Sequence, residues 1–279
     1  MIEQLGRRFA LVMLASMLLA TMMGLMAWGP VLLSSQVHDY ADNRAWLGIP
    51  GAANVWVNLA MLAVGSWGWR ATRASPWPLQ LRTPWQLFQA CAAVSALLAA
   101  LYHAWPGDTL FVAAHAATAA GFTLLTLGML AERVHSRFGS PLSCGLLLLG
   151  AVLLAGVVLI GRSLGSPVDM RPLLMLEIIP MLVIPAGALS LPGRATQALD
   201  WIVVLSLYAL AKLLESGDAL VLQISGWVSG HTLMHLALTA AVGWMAYCAV
   251  RARTAVMSSG STKESGDVSH RETSLKIAG

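Results

Sequence analysis

Charged residues are scarce in this sequence. Asp, Glu, Lys and Arg make up 11% of its 279 residues, whereas soluble domains carry roughly 25%. Hydrophobic residues make up 57%, and the mean hydropathy is +0.70. Apolar runs near the roughly 20 residues needed to cross a bilayer recur along the chain. The composition excludes an ordinary soluble domain and predicts an all-α, polytopic membrane bundle. The net charge of +4 lies on arginines between apolar runs, so we expect no nucleic-acid partner.

Cysteine is also rare, and no C-x-x-C spacing occurs. The three cysteines, Cys91, Cys144 and Cys248, all lie within apolar segments. They are therefore predicted to be small core residues rather than disulfide partners or zinc ligands.

The apolar segments predict about eight transmembrane helices. From residue 252 the chain turns polar, which predicts a disordered tail over 252–279 because too few apolar residues remain to pack. The first span resembles a signal peptide, but its apolar run is long and no clear cleavage site follows, so we expect a retained anchor. The predicted spans are residues 9–33, 52–69, 85–104, 109–131, 141–161, 172–191, 199–222 and 228–250.

Arginines and lysines are distributed unevenly between the two faces that eight spans define. Because cytoplasmic loops carry the excess of Lys and Arg, the richer face is predicted to be cytoplasmic. Both termini of this integral membrane protein would then be cytoplasmic. The richer face carries Arg7, Arg8, Arg70, Arg73, Arg82, Arg133, Arg137, Arg194, Arg251 and Arg253, and the other carries Arg44, Arg162, Arg171 and Lys212.

Two histidines one helical turn apart form the most informative motif. His231 and His235 share one helix face in the run SGHTLMH, so both can bind one metal ion. The Glu of the zinc-protease motif H-E-x-x-H is missing, and Thr232 stands there instead. A catalytic zinc takes three protein ligands and keeps one position open. At matching depth His103 is the natural third ligand, and His115 is the next choice.

The other ionisable residues gather towards the same outer face. Charges inside a bilayer are costly unless they are paired. We therefore expect one paired network near that face, composed of Asp169, Arg171, Lys212, Glu215 and Asp218.

A set of short motifs over residues 38–250 resembles the bacterial branch of the alkaline ceramidase-like membrane hydrolases. That family belongs to the seven-helix superfamily that also contains the adiponectin and progestin receptors. The resemblance implies a seven-helix core over residues 37–251, preceded by an added helix over residues 1–36. The motifs are HDYADNRAWLGIP from His38, NVWVN from Asn54, YHAWPGD from Tyr102, DMRP from Asp169, EIIP from Glu177, YALAKLLESGD from Tyr208 and VSGHTLMH from Val228.

The resemblance implies a Zn²⁺ ion held by His103, His231 and His235, and cleavage of the amide of a ceramide-like membrane lipid. Two positions depart from the family. Ala114 stands where the family has the aspartate that activates water, and Ala99 stands where it has a serine. Because both groups are replaced, weak turnover is expected unless His115, the candidate replacement base, or an acid from elsewhere reaches the reacting water.

Relatives also bind calcium just before their first core helix. Asp39, Asp42 and Asn43 lie in the matching stretch, but the expected glutamate is absent near Gly51. Calcium is therefore predicted to be unlikely, since it requires six to eight oxygen ligands.

Other functions stay open at this point. The first alternative is a catalytically degenerate lipid-binding or sensor protein that keeps the bundle. A proton or ion transporter using Lys212, Glu215 and Asp218 would be expected to show internal repeats, and none is found. Haem ligation by histidines would favour residues that face each other across the bundle. No pattern in the sequence predicts an oligomeric state.

Overall fold

The protein is an all-α bundle. The computed structural model describes residues 2–165 and 167–277, and within them nine α-helices and no strands occur. The helices are α1 (Ile2–Trp28), α2 (Ala52–Arg73), α3 (Leu79–Ala104), α4 (Asp108–Arg133), α5 (Pro141–Ser163), α6 (Arg171–Ser190), α7 (Ala198–Ser216), α8 (Asp218–Ser225) and α9 (Gly230–Ile277).

Six of the long helices form a ring. α3 packs between α2 and α4, α4 packs on α6, α6 contacts α7, α7 packs on α9, and α9 returns to α2. α5 lies outside this ring against α4, and α1 lies outside it against α6. Counted without the short α8, seven helices follow α1, as expected from the sequence.

Six helices in the described ranges are long and apolar enough to cross a membrane, by length and composition. They are α1, α3, α4, α5, α6 and the first part of α9. The chain is therefore an integral membrane protein. The predicted number of spans was about eight. The two further predicted spans, α2 and α7, fall outside the six because polar residues such as Asn58 and Asp200 interrupt their apolar sequence.

The two ends of the bundle differ in chemistry. At the histidine end, α3 ends at Ala104 and α9 begins at Gly230. At the arginine end, α4 ends at Arg133, whose guanidinium donates hydrogen bonds to the carbonyls of Leu191 and Thr196. The neighbouring Glu132 accepts three backbone N–H groups at residues 194–196, each at 2.8 Å. These bonds fix the α6–α7 connection, whose backbone groups would otherwise lack partners.

Large apolar side chains fill the arginine half of the bundle. Trp85, Leu124, Met129 and Trp201 are fully buried there, in a cluster that also includes Met245. The outer helices instead expose their apolar residues. α5 exposes Leu142, Leu146, Leu149, Val152, Leu153, Val157 and Ile160, as expected for a helix that faces lipid.

Several predicted boundaries differ from the structure: the first span, predicted over 9–33, ends at Trp28, and the third, predicted from residue 85, begins at Leu79. The span predicted over 199–222 ends at Ser216, where Gly217 separates α7 from α8. The predicted end at residue 250 is also wrong, because the backbone of α9 stays helical through most of the predicted tail, to Ile277. Residues 252–277 contain no proline, so nothing in that sequence forces the helix to stop.

Candidate metal centre

Three histidine nitrogens form a nearly equilateral triangle at the histidine end. The Nε2–Nε2 distances are 3.3 Å between His103 and His235, 3.4 Å between His103 and His231, and 3.2 Å between His231 and His235. All three residues are less than one-tenth exposed. The structure thus brings together the three residues chosen from the sequence by spacing and depth.

The size of this triangle fits one tetrahedral metal ion. Three nitrogens bound at about 2.0–2.1 Å with tetrahedral angles lie roughly 3.3 Å apart. A neutral imidazole carries one donor and one acceptor nitrogen, so three converging Nε2 atoms cannot all satisfy one another. A shared cation would relieve this crowding of lone pairs. Among the described residues, this triad is the group of His, Cys, Asp or Glu side chains that could hold a metal ion.

Local sequence explains how the triad is positioned. His231 and His235 follow one another on one face of α9, and His103 lies in the last turn of α3. α9 can approach the end of α7 because residue 230 is glycine. A Cβ there would lie 2.1 Å from the carbonyl oxygen of Leu214. Thr232 donates a hydrogen bond to Asn54 Oδ1 at 2.7 Å, which ties α9 to α2.

A loop covers the triad on the side away from the bundle. This roof loop, residues 38–44, places the ring of Tyr40 with its centroid 4.3 Å from that of His231 and 4.8 Å from that of His103. The Tyr40 hydroxyl donates to Tyr102 Oη at 3.0 Å. Burial, and secondly this hydrogen bond, raise the pKa of the Tyr40 phenol, so it stays protonated near neutral pH. Tyr40 lies in one of the quoted motifs but was not singled out from the sequence, because only the path of the loop brings it to the histidines.

Several polar contacts hold the roof loop. His38 contacts Tyr102 Oη at 2.8 Å through Nδ1 and Asp108 Oδ1 at 2.7 Å through Nε2. Asp108 is also paired with Arg162. Arg44 donates to both carboxylate oxygens of Asp42, which engages one of the acids considered for calcium. The hydrogen bond from Arg44 is the main cause that lowers the pKa of Asp42.

The predicted network of outer charges divides into separate groups. Asp169 pairs with Arg171 at 2.7 Å and accepts the backbone N–H of Val31, whereas Lys212 pairs with Glu215 at 2.7 Å. No contact joins these two pairs in the parts of the chain that the structure describes, so the expectation of one network was wrong. Each pair is local to one helix end: Asp169 and Arg171 lie at the start of α6, and Lys212 and Glu215 lie three residues apart near the end of α7.

A cavity of about 690 Å³ extends from the triad into the ring of helices. Near its mouth it is lined by Asp39, Lys212, Glu215 and Asp218. Its deeper wall is apolar and includes Phe88, Trp201, Leu205, Leu238, Val242 and Met245. The volume lies within the range of sites that hold drug-sized or larger ligands.

His115, the candidate base, also lines this cavity. Its Nδ1 lies 3.2 Å from Oε1 of Glu177, a buried residue of α6. Ala99 and Ala114 line the same cavity, so neither supplies the polar group expected there. One turn deeper, Ser95 and Thr118 have their hydroxyl oxygens 2.6 Å apart. The role of His115 stays a prediction.

The fold and site together define an integral membrane helical bundle with a buried histidine triad able to hold a metal ion. Comparisons with protein-family models, with curated proteins and with solved structures find no match to this chain.

Proposed function

We propose that the protein is a zinc-dependent membrane hydrolase that cleaves the amide of a ceramide-like lipid. The observation that carries this proposal is the Nε2 triangle of His103, His231 and His235 at the head of an apolar cavity. The resemblance to alkaline ceramidase-like hydrolases is further support. Its motifs at Tyr102–Asp108, at Asp169 and at Val228–His235 all lie at the histidine end.

Zinc suits these ligands because three neutral imidazoles and one open position are typical of catalytic zinc sites. When bound there, zinc would polarise the carbonyl of a substrate and lower the pKa of a water molecule to about 7. The chain's own residues hold and shield the site. The histidines orient the site, and Tyr40 covers it against outer water.

The cavity supports a lipid substrate. The lining is polar beside the triad and apolar below it, so an amide at the mouth would place a hydrocarbon chain among residues such as Leu205 and Met245. Such burial favours binding by roughly 0.8 kcal/mol per CH₂ group removed from water. A substrate that stays in the membrane would therefore reach the site with its amide near the interface.

A second candidate is a lipid-binding or sensor protein. Ala99 and Ala114 both line the cavity without offering a proton acceptor, which favours this alternative. It would keep the metal and the lipid but show no turnover.

The helix boundaries support an orientation with the histidine end outside a bacterial inner membrane. Arg70, Arg133 and Arg194 lie within four residues of helix ends at the arginine end, and Arg251 is paired there with Asp200 near the start of α7. Because positive residues favour the cytoplasm, both termini would be inside. Reporter fusions after residue 138 and at the C-terminus should both report a cytoplasmic location. A C-terminus outside the cytoplasm would contradict this orientation.

The function is tested with purified protein in lipid nanodiscs. Metal analysis should find one zinc per chain, and a ceramide with a fluorescent acyl chain should be cleaved to the fatty acid and the amine. The His231→Ala variant is the matched control and should neither bind zinc nor cleave the ceramide. Zinc and lipid binding without cleavage would support the lipid-binding alternative, and absence of bound zinc would contradict the proposal.

A further inference from the structure

An amide hydrolase of this kind requires a group beside the metal that accepts a proton from water and returns it to the leaving nitrogen. Neither Ala99 nor Ala114 can do this. The titratable side chains that line the cavity, apart from the triad and the tyrosines, are Asp39, His115, Glu177, Lys212, Glu215 and Asp218.

Two of these carboxylates are held by groups from other elements, and Asp39 is exposed in the roof loop. Asp218 accepts the backbone N–H of His231 on Oδ1 at 2.7 Å and that of Ala41 on Oδ2 at 3.0 Å. Glu177 is paired with His115. His115 itself lies seven residues into α4, which places it roughly 10 Å below the start of that helix.

Glu215 lies at the level of the triad. The cavity-lining residues of α7 recur every three or four positions, which marks one face of the helix. This stripe consists of Trp201, Val204, Leu205, Tyr208, Ala211, Lys212 and Glu215. Glu215 is one residue before the end of α7, and His231 is one residue after the start of α9. The contact between Leu214 and Gly230 holds these two helix ends together.

The contacts of Glu215 leave one oxygen free for a reacting molecule. Lys212 Nζ donates to Oε2 at 2.7 Å, and Oε1 receives no hydrogen bond from the described residues.

We propose that Glu215 is the catalytic carboxylate of this site and that Lys212 positions it. The inference rests on the proposed function. One oxygen of Glu215 accepts a proton from the attacking water as the water oxygen bonds to the amide carbon. The carbon–nitrogen bond then breaks, and the same proton passes from Glu215 to the leaving nitrogen. The products are a carboxylic acid and an amine, and Glu215 returns to its carboxylate form.

The test uses full-length, zinc-loaded protein and a long-chain hydroxamic acid, dodecanohydroxamic acid. This probe gives up its acidic proton to a neighbouring base when it binds zinc, so its affinity reports the base without any turnover. The Glu215→Gln variant should bind the probe about 10-fold to 100-fold more weakly, as expected for loss of one charge-assisted hydrogen bond. The His115→Gln variant tests the competing base and should lose much less affinity than Glu215→Gln, and His135→Gln at the arginine end is the control that should bind within about twofold of wild type. The O-methyl ester of the probe, which lacks that proton, should bind Glu215→Gln and wild type equally.

Several outcomes would overturn the assignment. These are unchanged probe binding by Glu215→Gln, a large loss in His115→Gln, loss of zinc from Glu215→Gln in metal analysis, or no zinc-dependent binding by wild type. A wild-type protein that binds the hydroxamic acid through Glu215 but cleaves no lipid amide would instead contradict the proposed function alone.

In an active enzyme, Glu215→Gln should lower kcat by roughly 10²–10⁴-fold with little change in KM. Glu215→Asp should restore part of the lost kcat.

Discussion

Asp218 joins the metal centre to the roof loop, since one oxygen accepts the backbone N–H of His231 and the other that of Ala41. Replacing Asp218 should therefore loosen both the backbone at His231 and the roof loop at Ala41. Asp218→Ala should lower zinc affinity by about 10-fold to 100-fold, as for other residues that support metal ligands. Asp218→Asn keeps one acceptor oxygen, so its zinc affinity should lie between those of Asp218→Ala and wild type. Zinc titration with a competing chelator measures the affinities. Equal zinc affinities of Asp218→Ala, Asp218→Asn and wild type would contradict a role of Asp218 in supporting the triad.

The three histidines should contribute to one metal site. His103→Ala, His231→Ala and His235→Ala should each lower zinc affinity by roughly 100-fold or more, because each removes one of three ligands. His135→Ala is the control. That side chain lies at the arginine end, where it accepts a hydrogen bond from the backbone N–H of Arg137. Retention of zinc by any one triad variant at wild-type affinity would remove that residue from the site.

The Asp42–Arg44 pair should make the stability depend on acid pH. Arg44 lowers the pKa of the buried Asp42 below its unfolded value of about 3.9. A lowered folded-state pKa stabilises the protein above the unfolded pKa, and this stabilisation is lost as pH falls through the folded pKa. Asp42→Asn should therefore lower Tm at pH 7, and this effect should begin to shrink near pH 4 and disappear as pH falls through the lower folded-state pKa. Arg44→Gln should behave similarly. An equal loss of Tm at pH 7 and pH 3 would contradict this linkage.

Ala114→Asp should increase amide cleavage, since Ala114 is buried in the cavity wall near the triad. The increase should be at least about 10-fold, within the usual contribution of a general base. It should be larger in the Glu215→Gln background, where the new carboxylate would be the main proton acceptor. Ala114→Asn is the control of equal size. A fluorescent ceramide assay gives the comparison, and no increase in the Glu215→Gln background would show that position 114 does not reach the reacting water.

The triad could be predicted because its signal is local and geometric. His231 and His235 are one turn apart, and the depth of His103 follows from the end of its span. The roof loop could not be predicted, because Tyr40 is far from both histidines along the chain and its contacts depend on the loop's path. The pairing of His115 with Glu177 also joins distant helices. The exact position of the break at Gly217 could not be predicted, because Lys212, Glu215 and Asp218 indicate only that the outer end of this helix is bent or short.

The roof loop would also affect how quickly a metal ion at the triad enters and leaves. Tyr40 lies over two of the three ligands, and Asp218 and Tyr102 hold its loop in place. An ion beneath it can exchange with outer water only after the loop opens or by way of the cavity. Occupancy of the site would then be set by slow exchange as much as by affinity, so an ion acquired during folding would tend to be retained.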